Sequence, residues 1–539
     1  MNKITRYFSM LLSANEQHRN WIASHVFLLG DVHNHCGISY GHGSVNHAIG
    51  FACQQLDFFS ITGHFAWPDM TTNPERSLPS DVAQYHREGF AKLRQQWDAY
   101  RNSMKQVEAD YPIIPFLSYE YHHFLYGDYT VVEKSLDADL PPLPNQHKED
   151  LRLKKLLDQD GAHLDSRIPI PHHIGYKEGF RGISWDNFND KASPLVEIIS
   201  LHGCAESHHA PYPYLHTMGP RWGQNTMQGG LAKGHRFGVM GNTDHHNASP
   251  GSYGCGRTGL WASQANRHVI WDALLNRQSI ALSGDPIEIA LFVDDNPIGS
   301  MLESIGSSHR ITTYVAGCDV LEKVELVVND TVVARRFPID AIHQHSEDSS
   351  LHGRVSLEFG WGKKQLPCLW DIDIDIENGV LVEAVPRLRG NDIVAPKDLN
   401  ETSISSDEFY PTFSNDNGKI HLRFLTNGNP NTVTNANQGC SLEVSGTDET
   451  VIRITIHADW NGKPLAKIFN FTLKDIVDHP NSEYLDGFVS PAISIGQYVP
   501  IKACTAYFDE TLVLKTDSFV YVRVFQGNGD CAFSSPIWV

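Results

Sequence analysis

The chain has 539 residues, 41% of them hydrophobic and 10% aromatic, so it is too long for one core and apolar enough to fill several, which excludes overall disorder. Its 43 Lys and Arg against 63 Asp and Glu give a formal charge of −20, a field that repels phosphate backbones and argues against nucleic acid as a partner, though a local metal pocket could still attract a small anion. The run FSMLL is too short for a signal-peptide core and no apolar stretch reaches about 18 residues, so no membrane span is expected. Nine cysteines without a CxxC pair predict reduced thiols in a cytoplasmic protein, not a zinc ribbon or redox pair.

From about residue 26 to 283, short apolar runs alternate with helix patterns. Ser44 is a helix cap that sets Val45, Ala48, Ile49 and Ala52 on one face, and a longer helix begins near Ser80 and runs through AKLRQQWDAYRNSM. This alternation predicts parallel strands with helical crossovers, in a barrel or a doubly wound sheet. From about 284 the period changes towards two. IEIALFV, KVELVVND, LWDIDIDIENG, TVIRITIHADWNG and FVYVRVFQGNGD predict strands and hairpins of a β-sandwich region, with turns such as ENG and GNGD. Residues from about 365 to 500 are expected to form a second β unit inserted in the first, with FLTNGNPNTVTNANQG as a loop.

The apolar runs of the first half share one feature: their ends carry metal-ligand residue types. VFLLGDVHNH ends in His33 and His35, LDFFSITGH in His64, YPIIPFLSYEYHH in Glu120, His122 and His123, SRIPIPHH in His172 and His173, SPLVEIISLHG in His202, and FGVMGNTDHH in Asp244, His245 and His246; DYTVV begins with Asp128. In a parallel barrel such ends converge on one mouth. Extended HNH points both imidazoles the same way. Imidazole with carboxylate, and no thiolate, suits Zn, Mn, Fe or Ni, and so many ligands imply two or three divalent ions.

In order, DVHNHCGISYGHG, LDFFSITGH, the glutamate of SYEYHH, PHHIGY and GNTDHHNASPG resemble the successive motifs of the PHP (polymerase and histidinol phosphatase) superfamily. The segments GRTGLWA and SSPIWV resemble a large branch of it with a trailing β region. The resemblance covers roughly 26–283 and implies an α/β fold: a distorted seven-stranded (β/α) barrel in residues 1–283, followed by the β-sandwich region of 284–539. It implies a di- or trinuclear metal centre and water-mediated hydrolysis of a phosphate ester. His33 and His35 match the HxH pair, His42 a third ligand, and His64 the histidine of TDH, whose acid is here Gly63. Glu120 matches the bridging carboxylate, Asp128 a position that is commonly His, His172 (or His173) the later strand-end ligand, and Asp244 with His246 the closing DxH.

Two further residues suit catalysis on a small anionic ester. His202 is a candidate proton donor. Arg257, on a Gly-rich loop after the last ligand pair, is a candidate clamp for an anionic oxygen, with Lys177 and Arg181 as weaker versions of the same idea. His122, His123, His208, His209 and His245 are expected beside the ligands or at the surface. The same activated water could attack a carboxylic ester, lactone or amide, and a non-catalytic carbohydrate-binding protein is the alternative of a different class.

Overall fold

The computed structural model describes residues 8–11, 13–71, 76–142, 152–159, 161–212, 219–303, 308–343, 350–364, 366–390, 410–428 and 437–539. The middle of the Asn/Gly-rich loop expected at FLTNGNPNTVTNANQG therefore lies outside the described residues. Sheet dominates a mixed α/β chain. The first half contributes β1 (Val26–Asp31), β2 (Phe58–Phe59), β3 (Thr62–Ala66), β4 (Ile114–Pro115), β5 (Leu117–Tyr121), β6 (Asp128–Glu133), β7 (Arg167–His172), β8 (Leu195–Ser200), β9 (Gly203–Cys204), β10 (Gly238–Gly241), β11 (Arg257–Ala262) and β12 (Ser279–Leu282).

The first helix expected from the sequence forms where Ser44 caps it. Ser44 Oγ accepts from His47 N at 3.1 Å and starts Val45–Ala52, which buries Ala48, Ile49, Phe51 and Ala52. The long helix Ser80–Asp110 buries Ala83, His86, Phe90, Leu93, Trp97, Tyr100, Met104 and Val107, steps of three and four that keep one face inward.

Parallel ladders join β1 to β2, β2 to β4, β3 to β5 and β8 to β10, as the alternation predicts. The steps β5–β6 and β6–β7 are antiparallel instead. For the first step the reason is loop length: only His122–Gly127 separate β5 from β6, and a parallel crossover needs about a dozen residues or more. This reversal matters, because it puts Asp128, the first residue of β6, opposite His172, the last of β7. The ladders of this half fall in three sheets, so hydrogen bonding does not trace one closed ring.

The two halves share a sheet. β1 pairs with β11, β11 with β12, and β12 with Cys531–Ser534, with Leu282 opposite Ala532. Phe519–Gln526 and Leu321–Val328 extend the same sheet. Its apolar face packs Leu326, Val522 and Val524 against Ile289, Leu291 and Val315 of a facing four-stranded sheet. Between Leu321–Val328 and Phe519–Gln526, strands from Leu351 to Ile495 build two further sheets around their own core of Val355, Leu357, Leu442, Ile372, Ile374, Ile454 and Ile456. Cys368–Glu377 alternates buried Trp370, Ile372 and Ile374 with outward aspartates, the pattern of a sheet wet on one side. GNGD closes a hairpin, but ENG does not: Cys368–Glu377 and Val380–Arg387 belong to different sheets, so this turn carries the chain between facing layers. None of the nine cysteines is in a disulfide. Among the described residues no helix is long and apolar enough to cross a membrane.

Glu133, at the end of β6, is almost wholly buried, and burial raises its carboxyl from 4.5 to about 7 despite Arg167 Nε at 3.4 Å. The folded state thus binds this proton more tightly than the unfolded chain does. The stability it contributes is complete below about pH 4.5 and is lost as pH rises through about 7. Glu133→Gln is expected to raise the denaturation midpoint near pH 8 and leave it unchanged near pH 4; equal shifts at both would refute the assignment.

Candidate metal centre

Strands β3, β5 and β7 and the segments after β1, β8 and β10 meet at one buried cluster. Backbone hydrogen bonds set the approach: Asp244 N donates to His33 O at 2.7 Å, His35 N to His245 O at 2.7 Å and His42 N to His246 O at 2.8 Å. Asp244 and His173 hold left-handed backbones, φ 50° and 55°, which aim their side chains inward at the cost of local strain.

Glu120 is the hub. Its Oε2 lies 3.2 Å from His64 Nε2 and 3.5 Å from His35 Nε2, while Oε1 lies 3.1 Å from His122 Nδ1 and 3.4 Å from His172 Nε2. Asp244 is a second hub: Oδ1 lies 2.9 Å from His35 Nε2 and 3.2 Å from His33 Nε2, and Oδ2 lies 2.8 Å from His202 Nε2 and 3.5 Å from His173 Nε2. The His246 ring lies 4.3 Å from that of His35. Fixing bonds come from behind: His35 Nδ1 lies 2.6 Å from Thr62 O, His64 Nδ1 2.9 Å from Ser39 Oγ, and His33 Nδ1 2.9 Å from Glu197 Oε2. Such partners orient a ligating imidazole through its other nitrogen.

The donor set fits divalent ions. Burial, reinforced by neighbouring imidazoles, holds His64, His172 and His173 well below their usual range, as burial and His35 do for His246, so these rings are neutral and their lone pairs available. His33 differs: burial opposes its charge, but Glu197 and Asp244 outweigh it and lift it to about 10. Burial pushes Glu120 up, whereas His33 and His202 keep Asp244 low against the same effect. His33 Nε2, Glu120 Oε2 and His172 Nε2 are buried without a hydrogen bond, which is costly unless something else binds them. His35, His64 and His246 form one group of donors close enough to share an ion, and His33, His172 and Glu197 another.

Nearly every expected site residue is brought together here: His33, His35, His64, Glu120, His172 with its rival His173, Asp244, His246 and His202, with buried His42 tied to it through its backbone. Asp128 joins through Arg181, whose Nε and Nη2 lie 2.6 and 2.5 Å from Asp128 Oδ2. Arg257 does not take the clamp role. Its guanidinium is buried on Gly251 O at 2.7 Å, Gly284 O at 3.3 Å and Gln55 Oε1 at 2.6 Å, so it pins loops together. Lys177 is exposed, with Nζ over Trp222 at 5.3 Å. His123 pairs with Asp69 at 2.9 Å, and His208 and His209 are exposed. Sequence reasoning missed Glu197, Tyr40 and Tyr176. Tyr40 stacks on His64 at 3.5 Å and its hydroxyl lies 3.0 Å from His122 Nε2; the Tyr176 hydroxyl lies 3.1 Å from His202 Nδ1.

Gly63 stands where the resembled motif carries an acid, and packing explains it: a Cβ there would fall 2.2 Å from Leu93 Cδ1 of the long helix. Gly63→Ala is expected to cost about 1–3 kcal/mol of overpacking, read by chemical denaturation. An unchanged midpoint would mean that the helix yields freely.

No family model matches the chain. An uncharacterized protein of Chlamydia trachomatis is 27% identical over 211 residues, covering 36% of this chain and 33% of that protein. One of Chlamydia muridarum is 27% identical over 216 residues, covering 37% and 34%. The match thus spans about a third of the length of these relatives. Among solved structures, a two-domain protein from Bacteroides vulgatus, described as containing a predicted PHP-like metal-dependent phosphoesterase, aligns with 83% of this chain and 96% of its own at 10% identity and a TM-score of 0.32.

Proposed function

We propose that the chain is a metal-dependent hydrolase of PHP type that cleaves phosphate esters of a small, anionic substrate. The observation that carries this reading is Glu120, buried between His35 and His64 on one oxygen and His172 on the other, the placement of a carboxylate that bridges ions. His33, His35, His42, His64, Glu120, His172, Asp244 and His246 would hold the ions, with His173 as the rival of His172. When bound, divalent ions would lower the pKa of a water and neutralise charge on the ester. His202, its ring held between Asp244 Oδ2 and the Tyr176 hydroxyl, would protonate the leaving oxygen. Arg181 adds positive charge to the cluster beside Asp128 and Glu120. Residues 1–283 would form the distorted seven-stranded barrel that carries the reaction, and 284–539 the β-sandwich region with its inserted unit. Two features support closure: β7 lies beside β8, and the loop after β10 is hydrogen-bonded to the segment after β1.

The test is hydrolysis of a chromogenic phosphomonoester, phosphodiester and carboxylic ester by chelated protein and by protein reloaded with Mn, Zn, Fe or Ni. Phosphoester turnover that needs the metal is the expected result. Carboxylic ester turnover alone would move the reaction to carbon, and absence of both metal and turnover would leave a binding protein.

A further inference from the structure

Glu120, Asp128, His172 and His173 lie close enough together to hold an ion of their own, yet a fixed cation already stands among them. The turn after β7 places it. Tyr176 N donates to His173 O at 2.9 Å, and Gly182 lies so close to the turn that a Cβ would fall 1.9 Å from Tyr176 O. Gly127, at φ 86°, sits against the Ile183 backbone and docks this turn on the β5–β6 connection. Arg181 itself takes φ 70°, a left-handed backbone that a non-glycine residue adopts only under constraint.

The result is a guanidinium threaded back into the cluster. Besides the two contacts to Asp128 Oδ2, Nη2 lies 2.8 Å from His122 Nδ1 and 3.8 Å from Glu120 Oε1, and the guanidinium lies over the Trp67 ring at 4.8 Å. Arginine keeps its charge throughout the pH range in which proteins fold. An ion bound to Asp128 would therefore have to sit within a few ångströms of a permanent positive charge, in surroundings that screen little.

We propose that Arg181 stands in for a third ion, so that the centre holds two. The proposal rests on the metal-centre reading above. Asp128 is then the counter-charge of Arg181 and not a ligand, and Arg181 is a positioning residue that neutralises the outer oxygen of Glu120. The two ions remain for the His35, His64, His246 group and for the side of the cluster that holds His33 and His172, with Glu120 between them.

The measurement is metal content, by mass spectrometry, of the full chain after chelation, reloading with excess Mn(II) and removal of free ion. Two ions per chain are expected for the parent, two for Arg181→Lys, two for Asp128→Asn and three for Arg181→Met. Three ions in the parent would overturn the proposal, as would one ion in Asp128→Asn or two in a folded Arg181→Met. If Arg181→Met does not fold, the Asp128→Asn count still decides whether Asp128 is a ligand. No ion in the parent would overturn the metal reading itself, and the proposal with it.

Discussion

Glu120→Gln is expected to abolish the proposed metal-dependent turnover and to lower the number of bound ions, while the β-rich circular dichroism of the chain is retained. The amide keeps the size of the carboxyl but loses its charge, and it leaves an NH2 group facing either His35 and His64 or His122 and His172. One orientation or the other must set a donor where a ligand oxygen stood. Metal ions contribute several kcal/mol of transition-state stabilisation, and at ~1.4 kcal/mol per factor of ten the expected loss is roughly a thousandfold or more. The substitution also removes the carboxylate that lies within 3.4 Å of both His64 and His172. Metal content and turnover should fall together. Full turnover in Glu120→Gln with unchanged metal would refute the bridging role.

Arg387→Met is expected to lower the denaturation midpoint by more than any substitution at the surface. Arg387 ends the strand Val380–Arg387, and its Nε and Nη2 lie 2.8 and 2.6 Å from the two oxygens of Asp285. Both partners are buried. Burial alone would push the Asp285 carboxyl up, and Arg387 holds it down. Methionine preserves the stem and strands the carboxylate, a change that costs about 3–5 kcal/mol in buried pairs. The loss is local to a junction: Leu388 O accepts from Tyr253 N at 2.9 Å and Gly390 N donates to Ser252 Oγ at 2.9 Å, so the same segment steadies the loop that follows His246. Adding Asp285→Asn should restore a large part of the midpoint, because the stranded charge is then gone. A double-mutant cycle with no coupling would show that the pair does not act as one.

Much of the cluster was legible because its members are chemically conspicuous. Histidines and carboxylates that close apolar runs are expensive to bury unless they serve something, and strand ends bring them together. The cap at Ser44 and the face of the long helix were legible for a similar reason, since local rules of spacing govern both. Strand direction was not. A run such as DYTVV looks the same read either way, and only the short His122–Gly127 connection betrays that β6 is antiparallel. Glu197 had a signal that could have been used: it is the one charged residue in the apolar strand Leu195–Ser200. Arg181 and Arg257 both follow ligand-bearing strands in Gly-containing segments, the latter at the first position of β11, and nothing local distinguishes an arginine that enters the cluster from one that ties loops behind it. That difference is set by tertiary packing, here by the tight approach at Gly182 and Gly127. The ENG turn misled because Asn-Gly marks a tight turn without fixing the partner strand: Asn378 is left-handed, φ 55°, but Gly379 is not, as an Asn-Gly hairpin would require.

The ladder between Leu282 and Ala532 has a consequence for how the polypeptide is made. During synthesis β12 leaves the ribosome long before Cys531–Ser534 does, so one edge of the sheet that holds β1 stays open until the residues between Leu282 and Cys531 have emerged. An open apolar edge is a template for pairing with another nascent chain. Pairings this distant in sequence also make for slow folding. The half that bears the histidines is thus expected to mature late, and to depend on holding chaperones until the closing strand arrives.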